Sequence, residues 1–200
     1  MFYETYLNLL LLGERYKKNP RRVTASEFTA IIRRQFPAAD FSFVTQRTTV
    51  ADPDMIVVSG IYDSDNDDDA LPAIELSLCY HPDQKYFFTD LIDWPQLAFD
   101  LAECAFHEII HRDQYRDGIE LAPYYSKTDN PFLVDDQEYL GNEYELQEYG
   151  FSIAAESVVR GVPFEECAMY KVYKETFDND PGVIVKLREQ FIKYSEQLGA

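Results

Sequence analysis

Residues 94–116 read WPQLAFDLAECAFHEIIHRDQYR, and the rest of the chain is organised around this stretch. Asp93 is an N-cap candidate and Pro95 stands in a first turn, where an amide N–H would go unpaired. The residues that follow sustain one long helix to about Arg116. Inside it lies His107-Glu108-Ile109-Ile110-His111. A spacing of i, i+4 puts both imidazoles on one helix face, about one turn apart, where they can share a Zn2+ ion at roughly 2.0–2.1 Å each. Glu108 lies beside them, placed to take a proton from zinc-bound water rather than to ligate the metal. The chain has three His and two of them sit here, so the pair is not the by-product of a histidine-rich composition.

Upstream, two helices are expected. Tyr3 to Lys18 places Tyr6, Leu7, Leu10 and Leu11 on one face, and Asn19-Pro20 breaks it. Thr24-Ala25-Ser26-Glu27 has the spacing of a capping box, opening a helix that carries Phe28, Ile31 and Ile32 and stops at Pro37. Strand patterns follow at Phe41 to Val50, Met55 to Tyr62 and Ile74 to Tyr80, then a turn at His81-Pro82-Asp83-Gln84 and a strand over Lys85 to Thr89. These predict an antiparallel sheet of about four strands. Downstream of Arg116 the chain is turn-rich to Asp136. Asn142 then opens a helix that ends at Gly161, and Pro163 to Phe177 and Gly182 to Leu198 read as the last two. With no repeat and no linker, the expectation is one α+β domain over 1–200.

Composition narrows the function. Thirty-six acidic against 18 basic residues leave a net charge of −18, which repels phosphate backbones and argues against nucleic-acid binding. The same charge favours basic peptides, cationic proteins or metal ions. Met1 to Leu12 carries Glu4 and Asn8, has no basic start and does not read as an export signal. No run approaches the roughly 18–20 apolar residues of a membrane span. Cys79, Cys104 and Cys167 are odd in number and far apart, so a disulfide framework is not expected and a cytoplasmic setting is.

A catalytic zinc needs a third protein ligand and an open position. Glu145 is the first candidate, although three residues after Asn142 it also fits the last place of a capping box; Glu143 and Glu148 are its nearest substitutes. Asp117 stands six residues after His111, where a longer HExxH pattern puts its third ligand, but that pattern needs Gly at 114 and this chain has Gln114. Asp117-Gly118 therefore reads better as a helix end. His81 lies in a turn, and Cys104 reads as a packed residue because a thiolate would give a closed structural site.

With the HEIIH helix followed by Glu145-Leu146-Gln147-Glu148, Tyr149, Phe151 and Ala154, the chain resembles small zincin metallopeptidases. The gluzincin and SprT-like types, and above all predicted phage-encoded HExxH peptidases, pair such a helix with a later Glu-Ile-Glu-Ala-like helix. The resemblance runs from about Ala98 to Val158; Gln147 and Glu148 replace the usual second acid and small residue, and Arg112 and Asp113 follow the motif. It implies a zincin-like fold in which His107, His111 and Glu145 hold Zn2+ and Glu108 is the general base of peptide-bond hydrolysis. It also implies a peptide or protein substrate laid as an added strand on the sheet edge, expected at Ile74 to Tyr80 or Lys85 to Thr89, and a host cytoplasm for a phage protein. Two alternatives stand beside it. One is an inactive acidic phage protein that uses the scaffold to bind a basic host or phage partner, and the other is a zinc held for stability alone in a closed four-ligand site.

Asp63, Asp65 and Asp67 match the opening of a calcium loop, but Asp68 stands where Gly is needed and Ile74 where a bidentate Glu is needed, so a solvated acidic loop is expected. Tyr144, Tyr149, Tyr124 and Tyr125 are all candidates for oxyanion donor, and the sequence does not choose among them.

Overall fold

Thr24 and Glu27 form the box their spacing predicts. The Thr24 hydroxyl accepts from the Glu27 amide at 3.3 Å, and the Glu27 carboxylate accepts from the Thr24 amide at 2.7 Å. The Thr24 amide first, and then the Thr24 hydroxyl donating to the same carboxylate at 2.8 Å, hold the Glu27 carboxyl below its ordinary pKa. The computed structural model describes residues 2–47, 56–63, 73–118 and 136–199. The last part of the expected first strand, the acidic loop after Asp63 and the tyrosines Tyr124 and Tyr125 lie outside the described residues. The described architecture is mixed α and β. It divides into two compact units, Met1–Arg112 and Asp113–Ala200, where the sequence suggests one domain over 1–200.

The first unit holds α1 (Phe2–Lys18), β1 (Arg22–Thr24), α2 (Ala25–Arg33), β2 (Phe41–Arg47), β3 (Val57–Tyr62), β4 (Ile74–Tyr80), β5 (Tyr86–Phe88) and most of α3 (Trp94–Arg116). The expected four-stranded antiparallel sheet is corrected. Among the described residues there is a three-stranded sheet in the order β2-β4-β3, with β2 parallel and β3 antiparallel to β4, and a separate antiparallel pair of β1 with β5. The central place of β4 follows from its residues: Ile74, Leu76 and Leu78 are buried on one face, Ser77 and Cys79 on the other, and a strand covered on both sides belongs inside a sheet. The expected edge at Ile74 to Tyr80 is therefore the sheet's centre, and β5 pairs with β1 instead. β1 was not expected, because three residues are too few for an alternation to register.

The face of α1 also differs from expectation. Phe2, Thr5, Leu9 and Gly13 are buried, Tyr6 and Leu10 are half-buried, and Leu7 and Leu11 are 53% and 57% exposed. Gly13 explains the rotation: a Cβ there would strike the indole of Trp94, which stacks on Tyr16 with centroids 5.7 Å apart. Helix α3 starts as predicted, with the Asp93 carboxylate accepting from the Gln96 amide at 3.2 Å. Leu97, Ala98, Leu101, Ala105 and Ile109 join Phe28, Ile32, Ile74, Leu76 and Leu78 in the core of this unit.

The second unit holds the last turn of α3, then α4 (Asp136–Leu140), α5 (Glu143–Arg160), a 3-10 turn at Phe164–Glu166, α6 (Ala168–Thr176) and α7 (Pro181–Leu198). Asn142 caps α5 by accepting from the Tyr144 amide at 3.1 Å, and Gly161, at φ 66°, ends it. Leu146, Ile153, Phe164, Cys167, Tyr173 and Leu187 form its core. No described helix is long and apolar enough to cross a membrane.

Candidate metal centre

In the first unit, His107 and His111 stand on α3 with ring centroids 5.2 Å apart and ring planes at 76°, the one-turn neighbours that i, i+4 spacing requires. Glu108 is buried and turns toward the sheet. A Cβ placed on Gly60 of β3 would fall 2.7 Å from Glu108 Cγ and 2.9 Å from its Oε1. The same atom would lie 2.9 Å from Cys104 Sγ. The missing side chain of Gly60 thus makes a notch in the edge strand that receives Glu108 and Cys104. Burial first, then the carboxylates of Glu108, Glu103 and Asp100, push the Cys104 thiol well above its ordinary pKa, which disfavours a thiolate ligand there.

In the second unit, α5 carries a buried polar row at three- and four-residue intervals: Glu145, Glu148, Ser152 and Glu156. Its far end is neutralised within the unit, where Glu156 pairs with Arg160 at 3.2 Å and accepts from the Ala168 amide at 2.8 Å. Its near end is Glu145, 7% exposed, and Glu148, 0% exposed. Two phenols feel these carboxylates. Burial, helped by Glu148 and Asp113, pushes Tyr194 up to about 12, and burial with Tyr149, Glu145 and Glu148 raises Tyr173 further, whose hydroxyl donates to the Leu140 carbonyl at 2.9 Å. The last turn of α3 meets α5 in this same unit. Gln114 Nε2 lies 3.3 Å from both the Tyr144 carbonyl and Gln147 Oε1.

The other candidates fall elsewhere. Glu143 is exposed and pairs with Lys186 at 3.3 Å, so it does not share the buried face of Glu145. Asp117 is exposed past the end of α3, followed by Gly118 at φ 84° in the left-handed conformation of a helix end. His81 Nδ1 accepts from the Asp83 amide at 3.3 Å, an ordinary turn contact. Tyr149 packs edge-on against Tyr173 at 5.7 Å. The spacing 145, 148, 152 and 156 is the sequence signal that sets Glu148 on the same buried face as Glu145, and no comparable signal marks the contacts of Gln114.

No family model, curated protein or solved structure matches the chain.

Proposed function

We propose that the chain is a zinc-dependent peptidase of the gluzincin kind, with His107, His111 and Glu145 as metal ligands and Glu108 as general base. One observation carries the reading: His107 and His111 of the HExxH helix are one-turn neighbours with ring centroids 5.2 Å apart, the pair of imidazoles a zinc site needs, and α5 supplies two buried carboxylates, Glu145 and Glu148. The donor set fits the ion, since imidazole nitrogens and carboxylate oxygens are ordinary zinc ligands. The burial of both glutamates supports it too, because a carboxylate taken out of water is held charged by a cation or by hydrogen bonds. When bound, zinc supplies a Lewis acid that makes water a competent nucleophile near neutral pH. Glu108 takes the proton of the attacking water on its carboxylate and passes it to the leaving amine nitrogen. Its place against Gly60 sets that base beside β3, an edge of the described sheet, where an extended peptide can pair with the strand's backbone. The likeness to phage-encoded peptidases and a cytoplasmic setting belong to this reading; Cys79, Cys104 and Cys167 are all free thiols.

Glu148 favours a second reading. A fourth protein ligand would close a tetrahedral site, and the metal would then serve stability alone. Metal content by mass spectrometry, on protein purified without chelator, tests both. About one zinc per chain is expected, lost in Glu145→Ala and kept in Asp117→Ala. Equal loss in Glu148→Ala, with unfolding on chelation and no hydrolysis of a peptide library, selects the structural metal. A wild type that takes up no zinc, even when zinc is added back, refutes both and leaves the acidic binding protein.

A further inference from the structure

We infer that Gln114 is a positioning residue for the two buried glutamates of α5, its side-chain amide holding the last turn of α3 to the residue before each of them. The inference rests on the metal reading above. Gln114 is 4% exposed and stands three residues after His111 and seven after His107, spacings that keep all three on one face of α3. Its Nε2 donates to the Tyr144 carbonyl and to Gln147 Oε1, each at 3.3 Å. Tyr144 precedes Glu145 and Gln147 precedes Glu148, so the two bonds grip α5 one residue before each carboxylate.

Two acceptors on one side dictate how the amide is turned. Reversed, Gln114 Oε1 would face a carbonyl and a second amide oxygen. In the orientation it takes, Oε1 is buried without a hydrogen-bond partner among the described residues. A buried acceptor left unmatched is costly, so an apolar side chain of the same length would serve simple helix packing better. The Tyr144 carbonyl keeps its own partner along the helix, and half-buried Gln147 can reach water. What an apolar residue cannot do is hold α5 in one register at the two ligand-bearing positions. Residues that orient metal ligands in this way commonly matter 10–100-fold for affinity.

The test separates the two roles. In Gln114→Met, thermal stability without metal is expected to equal or exceed wild type, while zinc affinity, read by competition with a chromophoric chelator, falls about 10–100-fold. Gln147→Leu is expected to show the same fall, and Gln147→Glu, which keeps the acceptor, to stay near wild type. A folded Gln114→Met protein with wild-type zinc affinity overturns the inference. Should Gln114→Met not fold, the Gln147 pair decides, and equal affinities for Leu and Glu overturn it. Those results leave the metal reading standing. A wild type that binds no zinc at all fails that reading, and this inference with it.

Discussion

The notch at Gly60 can be filled with one methyl group. Carbon atoms in contact sit about 3.5–4.0 Å apart, and the added Cβ of Gly60→Ala would lie 2.7 Å from Glu108 Cγ and 2.9 Å from Cys104 Sγ. Something must move by about 1 Å. Overpacking of this kind costs about 1–3 kcal/mol, and replacing a glycine returns about 0.4–1 kcal/mol through the unfolded chain. The net is about 0–2.6 kcal/mol, a drop in melting temperature of up to about 10 °C at the 2–4 °C per kcal/mol typical of this chain length. Because that range touches zero, the decisive assay is a double-mutant cycle by calorimetry with Glu108→Ala, which removes two of the three clashing atoms. A coupling of at least about 0.5 kcal/mol is expected, with Gly60→Ala better tolerated once Glu108 is shortened. Additivity within about 0.3 kcal/mol would refute the claim that Glu108 occupies the notch.

Two further outcomes are expected. On the proposed peptidase reading, Glu108→Gln keeps the shape of the side chain but not its basicity, so zinc content is expected to hold while hydrolysis of a peptide substrate falls by at least about 100-fold; undiminished turnover would remove Glu108 from that proposal. Burial, aided by Glu156, pushes the Cys167 thiol from 9.0 up to about 11. The folded chain therefore keeps a proton that the unfolded chain has released, and this contribution is whole below about pH 9 and lost as pH rises toward 11. Urea midpoints across that window should fall less steeply in Cys167→Ala than in wild type, and parallel curves would contradict the assignment.

What was legible in the chain was local. Thr24 with Glu27, Asp93 with Gln96, and Asn142 and Gly161 at the two ends of α5 act within three or four residues, and each does what its spacing implies. The one-turn neighbourhood of His107 and His111 belongs to the same class. Pairings across the sequence were not legible. Nothing near Arg22 announces Phe88 as its strand partner, and the apolar count of α1 favours Leu7 and Leu11 until Trp94 is known to need the space at Gly13. Gln114 is the sharpest case, since its neighbours on the chain gave no hint of the carbonyl and amide oxygen it meets thirty or more residues away.

The small β1–β5 pair also bears on the order in which the first unit assembles. Arg21 and Thr89 are 68 residues apart, yet the Arg21 amide donates to the Thr89 hydroxyl at 2.9 Å and the Thr89 amide to the Arg21 carbonyl at 2.9 Å. Everything from α2 to β4 lies inside that span, so α2 and the larger sheet can collapse before its ends are drawn together, whereas the reverse order would forfeit chain entropy with little to offset it. On this entropy argument the seam is expected to close late in folding. The chain's one tryptophan sits on it, with Trp94 Nε1 donating to the Thr89 carbonyl at 2.7 Å, so stopped-flow emission is expected to report when the seam closes.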